Sequence, residues 1–391
     1  MNAEGIYDPR PTASSALATG RRPEILALTS VRFFAALEVV LLHTSYELGG
    51  DGVRALPDAV IDLMTRGGLA VSFFFVLSGF ILAYTYCDSA NELKTTAGTF
   101  WRARFARIYP LYFLGFLMDA PRVVAFFIDS AGSLPSALVK IGVAGVAYLT
   151  LLQAWHPRVT NTWNTPGWTL SVEAFFYALF PVLLRVTKSW RLRSVCWVAL
   201  AIWGLPLLVQ AMLFHWQVAD HTSASALTFW RSFPPLQLPQ FVLGVVAGRL
   251  FLSGKLEPHR KVLRLLGTFA LVLTLALAIG GRFAPMGVLE ATLGAPLFAL
   301  MILALASGAL PTPNFLNGPP LVLLGRASYA VYILHQPFKQ VFLRLAHLAR
   351  FDSPSPGLLV AYLVSLQVFC IALFLFFEDP VRRLLTKPRG A

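Results

Sequence analysis

The chain has 391 residues, of which 57% are hydrophobic and 13% are charged, and its mean hydropathy is +0.66. A soluble globular domain carries about 25% charged residues, so this composition excludes an ordinary soluble protein and indicates an integral membrane protein. The net charge of +13 does not indicate a nucleic-acid-binding protein, because the basic residues lie in short clusters between apolar segments, as in the cytoplasmic loops of membrane proteins.

The first predicted helix follows a polar tail, residues 1–23, which we expect to be disordered and cytoplasmic. Ten apolar segments after this tail are long enough to cross a bilayer, since a helical crossing needs about 17–25 residues. The first of them contains charged residues and no signal-peptide cleavage site, so we interpret it as a retained helix. The ten segments lie near residues 24–46, 66–87, 105–129, 168–186, 195–215, 234–252, 263–281, 286–308, 320–346 and 357–378.

An eleventh apolar segment, near 138–155, is shorter, and the placement of five basic clusters decides whether it crosses. If it does not cross and the N-terminus is inside, all five clusters lie on the cytoplasmic side, which the positive-inside rule favours. The clusters are RRPE at 21–24, RARFAR at 102–107, KSWRLR at 188–193, KLEPHRK at 255–261 and RRLLTKPR at 382–389.

These patterns predict an all-α integral membrane protein with about ten transmembrane helices in one bundle, in which 138–155 is re-entrant or lies on the outer surface. We expect a single membrane domain, 24–380, followed by a basic cytoplasmic tail, 381–391. Cys87, Cys196 and Cys370 are far apart, and no Cys/His pair has metal-ligand spacing. The sequence therefore predicts neither a disulfide nor a metal site.

The first apolar segment carries an arginine and a histidine on one face of the predicted helix. Arg32 and His43 are eleven residues apart, which places them within about 20° of each other around the helix and about 16 Å apart along it. Ionisable residues inside membrane helices usually mark a functional site or a buried pair. A neutral imidazole takes a proton near physiological pH, so we predict that His43 is a general base. The alternatives are snorkelling of Arg32 to the headgroups and a structural hydrogen bond from His43.

The fourth segment carries one carboxylate, in NTWNTPGWTLSVEAFFYALFP at 161–181. Thr165–Pro166 is a helix-start signal, an N-cap residue followed by a first-turn proline. If this helix runs inward from the outer surface, Glu173 lies about two turns in, at the depth of His43. We then predict that Glu173 orients the imidazole, as a carboxylate does in hydrolase triads. The alternative is a structural ion pair between Glu173 and another buried cation.

The third segment begins with WRARFARIYPLYF, 101–113, in which Arg104 and Arg107 share one face at the cytoplasmic mouth. Guanidinium groups match phosphate oxygens, so we predict that these arginines, together with Arg32, bind a phosphate-bearing acyl donor. The alternative is that they serve topology alone, because cytoplasmic arginines flank most membrane helices.

The ninth segment contains LGRASYAVYILHQPF, 324–338, whose serine, tyrosine and histidine form one polar stripe at positions i, i+4 and i+7. Interhelical hydrogen bonding and lining of a site are both open interpretations of this stripe. The residues that we predict to line the site are Trp168, Ser171, Ser328, Tyr332 and His335.

Together these segments resemble the integral-membrane acyltransferases called acyltransferase family three. The matching pieces occur in the family's order and cover residues 25–380. They are Arg32–x10–His43, FFFVLSGFIL at 73–82, Arg104–x–x–Arg107 followed by IYPLY, WTLSVEAFFYALFP at 168–181 and GRASYAVYILHQPF at 325–338.

The resemblance implies a ten-helix core that transfers an acyl group, commonly acetyl from acetyl-CoA, to a hydroxyl of a cell-envelope or exopolysaccharide sugar or of its lipid-linked precursor. It implies that His43 is catalytic and that Glu173 and the three arginines are functionally important. Many members have two acidic residues where this chain has Glu173–Ala174. Some relatives carry an extra soluble domain, so we expect either that the membrane part of this chain performs both halves of the transfer or that a partner completes it.

The expected mechanism joins these residues across the membrane. The arginines hold the phosphates of acyl-CoA at the inner mouth, and His43 deprotonates the acceptor hydroxyl or carries the acyl group transiently. Acyl-CoA is then a substrate, and no permanently bound cofactor or nucleic acid is expected. The partners are the glycan acceptor, the lipid bilayer and polysaccharide-assembly proteins. We expect the chain in the bacterial cytoplasmic (inner) membrane, with both termini cytoplasmic.

Two other classes of function remain open from the residues alone. A proton-coupled transporter or flippase of a lipid-linked glycan also uses intramembrane His, Glu and Arg side chains, but the chain shows no repeated pair of motifs in its two halves. A non-catalytic scaffold would not need Arg32, His43 and Glu173 together inside lipid. Consumption of acetyl-CoA that depends on His43 discriminates the three.

Overall fold

The computed structural model describes residues 22–88, 90–218, 229–280, 293–351 and 353–387, and the regular secondary structure within them is helical. The predicted all-α fold is therefore confirmed for these residues. The tail predicted at 1–23 lies almost entirely outside them, as do parts of the segments predicted at 286–308 and 381–391. The helices are α1 Leu26–Arg54, α2 Asp58–Met64, α3 Gly67–Tyr86, α4 Ala97–Ser130, α5 Leu134–Leu149, α6 Trp168–Thr187, α7 Leu192–Val218, α8 Pro234–Leu252, α9 Arg260–Gly280, α10 Gly294–Ala306, α11 Pro319–Leu348, α12 Pro356–Leu373 and α13 Asp379–Thr386.

Seven helical stretches of the described residues are long and apolar enough to cross a membrane, judged by length and composition. They correspond to seven of the ten predicted crossings. The fifth and eighth predicted crossings, α7 and α10, are apolar over shorter stretches, and the ninth, α11, carries three basic residues along its 30. The seven stretches are Leu26–Arg54, Asp58–Tyr86, Ala97–Ser130, Thr165–Thr187, Phe229–Leu252, Glu257–Gly280 and Pro356–Thr386.

Helices α1 and α11 pack side by side and run in the same direction. Near their starts, Gly325 lies against the Thr29 carbonyl, and further along, His335 lies against His43. The first and ninth crossings must be parallel if ten helices cross and 138–155 does not, and they would be antiparallel if 138–155 also crossed. The observed direction thus fits the ten-crossing topology.

Helices α3 and α8 are also parallel and approach each other closely. A Cβ added to Gly244 would lie 1.9 Å from the Val76 carbonyl oxygen, and one added to Gly79 would lie 2.1 Å from the Phe241 carbonyl oxygen. Glycines at such a contact let two helix backbones pack tightly where no hydrophobic effect drives association in lipid. The two helix backbones are therefore in direct contact along this face.

The segment 150–167, between α5 and α6, is mostly non-helical and packs inside the bundle against the middle of α4. Gln153 of this segment donates a hydrogen bond from its side-chain amide to the Tyr112 hydroxyl of α4 at 3.2 Å. The Trp163 indole donates to the Phe116 carbonyl of α4 at 2.9 Å. Irregular backbone at membrane depth is tolerated only where protein groups surround it. This arrangement supports the re-entrant alternative for the eleventh apolar segment, 138–155. We call residues 150–167 the re-entrant segment.

Candidate active site and its basic cavity

A cavity of about 1100 Å³ opens between the first turns of α1, the last turns of α3, the first turns of α4, and α6, α11 and α13. Its lining is strongly basic, with eight cationic side chains and two carboxylates, Glu24 and Glu173. The cationic side chains are Arg22, Arg32, Lys94, Arg102, Arg104, Arg107, Arg382 and Arg383.

All three arginines predicted to bind the acyl donor line this cavity. Arg104 donates to the Tyr86 hydroxyl at 3.3 Å and lies 5.4 Å above the centre of the Tyr86 ring, while its buried Nε has no hydrogen-bond partner. The Arg107 guanidinium lies 5.4 Å above the Tyr329 ring and forms an ion pair with the buried Glu378. Aromatic faces hold both planar cations in place at the cavity wall.

Glu173 lies among these arginines and not beside His43. Its carboxylate accepts a hydrogen bond from the Tyr177 hydroxyl at 3.1 Å and interacts electrostatically with Arg104, Arg32 and Arg107. Both Glu173 and Tyr177 line the cavity. The structural pairing of Glu173 with His43 expected from the sequence is therefore replaced by a pairing of Glu173 with the arginine cluster.

The cause of this difference is the depth at which α6 begins. The helix-start signal does not lie at the outer surface, because Asn164, just before α6, donates to the Ile333 carbonyl in the middle of α11. The start of α6 is thus level with His335 and His43. Glu173 follows nine residues after Asn164 and lies roughly 13 Å deeper toward the arginines.

The cavity includes basic residues that the sequence analysis assigned to membrane topology alone. Arg382 and Arg383 on α13 pair with Asp379 at the start of that helix and also line the cavity. Arg22 donates to the Cys87 carbonyl at 3.0 Å and lies 5.6 Å over the Tyr84 ring, at the edge of the same space. Topological arginines and site arginines share one sequence signature, so no sequence pattern separated them.

Glu24, at the cavity rim, ties the start of α1 to α11. Burial opposes ionisation of its carboxyl, but hydrogen bonds from Arg326 at 2.6 Å and Thr29 at 2.7 Å outweigh the burial, and the net effect is a lowered pKa. The carboxylate is thus kept ionised near neutral pH. Glu24 lines the cavity and binds Arg326 of α11, which is not among the lining residues.

His43 lies about 16 Å beyond Arg32 on the same face of α1, outside the cavity lining. Its imidazole contacts the imidazole of His335 on α11, with ring centres 5.1 Å apart and His335 Nε2 at 3.3 Å from His43 Nδ1. His43 Nδ1 also lies 2.8 Å from the Val39 carbonyl oxygen, which only accepts, so Nδ1 carries the proton of the neutral ring. His43 Nε2 is then unprotonated and has the lone pair that a general base needs.

Two aromatic rings connect the cavity wall to this imidazole pair. Phe74 lines the cavity, and its ring packs edge-on against Tyr332 with centres 5.7 Å apart. The Tyr332 ring in turn lies 6.4 Å from that of His335. Tyr332 and His335, both predicted to line the site, are therefore near His43.

The other three residues predicted to line the site have local packing partners. Ser328 donates to the Gly325 carbonyl of its own helix at 2.7 Å. Ser171 donates to the Leu151 carbonyl in the re-entrant segment at 2.6 Å. Trp168 packs edge-on against Phe75, with ring centres 6.0 Å apart. The structure does not bring these three side chains into contact with the imidazole pair.

An ion pair that the sequence analysis missed lies one turn beyond the two histidines. Lys339, four residues after His335, is buried and pairs with Glu47, four residues after His43. Because α1 and α11 are parallel, residues at equal offsets along both helices face each other. The i, i+4 spacing on both helices was visible in the sequence, but it has meaning only once the parallel packing is known.

Comparisons with known proteins give a consistent result. The family model of an acyltransferase domain matches residues 25–375. The chain is 31% identical to the acyltransferase MdmB of Streptomyces mycarofaciens over 377 residues, which cover 93% of each protein. It is 30% identical to the exopolysaccharide production protein ExoZ of Rhizobium meliloti, over 82% of this chain and 90% of that protein.

A more distant relative is the peptidoglycan O-acetyltransferase OatA of Listeria monocytogenes, which is 24% identical over 85% of this chain and 55% of its own length. No solved structure matches the chain. The matched region includes every helix from α1 to α12, and with them Arg32, Arg102, Arg104 and Arg107 of the cavity and the imidazole pair.

Proposed function

Because the chain belongs to acyltransferase family three, a family of membrane acyltransferases, we propose that it moves an acyl group from a cytoplasmic acyl-CoA to a hydroxyl of a cell-envelope or exopolysaccharide sugar or of its lipid-linked precursor. Acetyl-CoA is the proposed donor. The observation that carries the proposal is the arginine-lined cavity at one end of the helix face that holds His43 at the other.

The cavity suits the donor because acyl-CoA carries several phosphates that cannot enter hydrocarbon without a large energetic cost. Eight cationic side chains line about 1100 Å³, a volume in the usual range for a pocket that holds a large ligand. Arg104 lines the cavity with its guanidinium group, and Glu173 interacts electrostatically with Arg104, Arg32 and Arg107. The pantetheine arm would extend past Phe74 and Tyr332 toward His43, over about 16 Å of helix.

The choice of acceptor rests on the relatives. One is named for exopolysaccharide production and another as a peptidoglycan O-acetyltransferase, so both are connected with envelope glycans. We carry this acceptor class, a sugar hydroxyl, to the present chain. The acceptor approaches His43 from the side opposite the cavity, and both chain termini are placed in the cytoplasm.

The proposed step is a direct acyl transfer. His43 Nε2 takes the proton of the acceptor hydroxyl while the oxygen attacks the thioester carbonyl carbon. The carbon–sulfur bond then breaks, and the proton passes from His43 to the departing thiolate of CoA. General-base help of this kind contributes about 10²–10⁴ in rate. In the other version of this step, His43 attacks the thioester itself and passes the acyl group to the sugar.

Inverted membrane vesicles that expose the cytoplasmic face test the proposal. Radiolabelled acetyl-CoA is supplied outside, and both thiol release and label incorporated into envelope glycan are followed. Wild-type vesicles should incorporate label and His43→Ala vesicles should not, at equal protein level. The matched control is His347→Ala, on the exposed end of α11. Label incorporation by His43→Ala at the wild-type rate would refute the proposal, and transport of a glycan without acetyl-CoA use would favour a transporter.

A further inference from the structure

The two imidazoles have a defined proton arrangement. His335 Nδ1 lies 2.7 Å from the Tyr332 carbonyl oxygen, and since a carbonyl oxygen only accepts, this nitrogen carries the proton of the neutral ring. His335 Nε2 is therefore an acceptor, and it faces His43 Nδ1 at 3.3 Å. The proton on His43 Nδ1 is shared between this nitrogen and the Val39 carbonyl. The pair thus has one direction of hydrogen bonding, from His43 to His335.

The backbone of α11 around His335 is held by hydrogen bonds from two other elements. Pro337 has no backbone N–H, so the Ile333 carbonyl lacks its usual partner within α11, and Asn164 of the re-entrant segment donates to it at 2.8 Å. On the other side, the Tyr362 hydroxyl of α12 donates to the His335 carbonyl at 2.7 Å. The His335 side chain is 0% exposed. Because this backbone is held and the His335 Nδ1 is bonded to the Tyr332 carbonyl, the buried ring keeps Nε2 at a constant position.

The carboxylates described above are engaged elsewhere. Glu173 lies in the arginine cavity, and Glu47, one turn beyond His43, pairs with Lys339. The place next to His43 Nδ1 that a carboxylate occupies in hydrolase triads is shared by the Val39 carbonyl oxygen at 2.8 Å and His335 Nε2 at 3.3 Å.

The geometry points to His335 as the positioning residue of the acyl transfer: its Nε2 accepts the His43 Nδ1–H and presents His43 Nε2 to the acceptor hydroxyl. This inference rests on the proposed function, in which His43 Nε2 takes the hydroxyl proton. When that proton arrives, His43 becomes a cation and its bond to His335 becomes charge-assisted, about twice as strong as before. His335 thus stabilises the imidazolium more than the neutral ring and lowers the barrier. It gains and loses no proton itself.

Two amide variants test this role. Asn at 335 places its amide near the position of Nδ1, where it keeps the bond to the Tyr332 carbonyl but does not reach His43. Gln reaches the position of Nε2, where its oxygen accepts from His43. We expect kcat for acetyl transfer in inverted vesicles to be at least about tenfold higher in His335→Gln than in His335→Asn. This difference cannot exceed the factor of about 10²–10⁴ that a general base contributes. The KM for acetyl-CoA should be equal in both, since the cavity is untouched.

A purely structural role for His335 predicts the opposite order, because Asn preserves the contact within α11 and Gln does not. Equal kcat in the two variants, at any level, would overturn the inference, as would a loss that appears in KM. His347→Asn and His347→Gln on the exposed end of α11 control for the substitutions themselves. If His43→Ala is inactive and the two variants are equal, only this inference fails. If His43→Ala is fully active, the proposed function fails as well.

Discussion

Helix α1 contributes Arg32 to the basic cavity and His43 to the imidazole pair, and the two regions differ in charge and in burial. The cavity gathers eight cationic side chains from both ends of the described chain, and two of them, Arg382 and Arg383, are partly exposed and paired with Asp379. The imidazole pair consists of two rings in contact, and one of them, His335, is fully buried between α1, α12 and the re-entrant segment.

The difference indicates how each region tolerates change. Phosphate binding by many cations is a sum over charges, each of which contributes modestly and is screened by salt. A proton transfer depends on one lone pair at one position, so neighbouring residues cannot compensate when that lone pair is removed. Substitutions in the cavity should therefore change donor affinity by degrees, and substitutions at the pair should change turnover sharply.

The largest expected effect is that of His43→Ala. Removal of the base should lower kcat for acetyl transfer by about 10²–10⁴ while donor binding is retained, since His43 does not line the cavity. The rate of acetyl transfer in inverted vesicles measures kcat, and binding of a non-hydrolysable acetyl-CoA analogue measures donor affinity. Loss of analogue binding in this variant would break the separation of the two regions.

Arg104→Ala should give the largest effect within the cavity. A hydrogen bond to a charged group contributes about 1.5–3 kcal/mol, so the KM for acetyl-CoA should rise about tenfold or more with a smaller change in kcat. Arg185→Ala, near the exposed C-terminal end of α6 and outside the cavity lining, is the matched control. An unchanged KM would show that the cavity does not hold the donor phosphates.

Asn164→Leu separates stability from donor binding. Without the asparagine amide, the Ile333 carbonyl is left buried without the donor that Pro337 denies it, at a cost of about 1–3 kcal/mol. Thermal unfolding in lipid nanodiscs should occur at a lower temperature, and kcat should fall more than the KM rises. The neighbouring exposed Asn161→Leu is the control. Unaltered unfolding in Asn164→Leu would mean that the re-entrant segment does not support α11.

Arg383→Gln is expected to have the smallest effect. Its side chain is 68% exposed and already paired with Asp379, so the KM for acetyl-CoA should rise no more than about twofold, and the rise should vanish at high ionic strength. Donor KM measured at low and high salt tests this. A tenfold rise in the KM for acetyl-CoA that does not change with salt would show that Arg383 contacts the donor directly, as proposed for Arg104.

The sequence predicted which residues belong to both regions, but it did not predict which partners those residues contact. The spacing of Arg32 and His43 indicated one helix face spanning two sites, because helical period depends on covalent geometry alone. The depth of Glu173 could not be deduced, because it depends on how far the re-entrant segment enters the bundle before α6 begins. The contact between His43 and His335 joins positions 292 residues apart, and it follows from the parallel packing of α1 and α11.

That parallel packing has an evolutionary consequence. Glu47 and Lys339 face each other at matched heights, and Lys339 is buried, so a lineage that replaces Glu47 strands an ammonium group in a poorly polar environment. Such a chain must soon replace Lys339 as well or lose stability. Across descendants of a common ancestor, these two positions should change together, whereas Arg382 and Arg383, which are both more exposed and share one carboxylate, Asp379, should change independently.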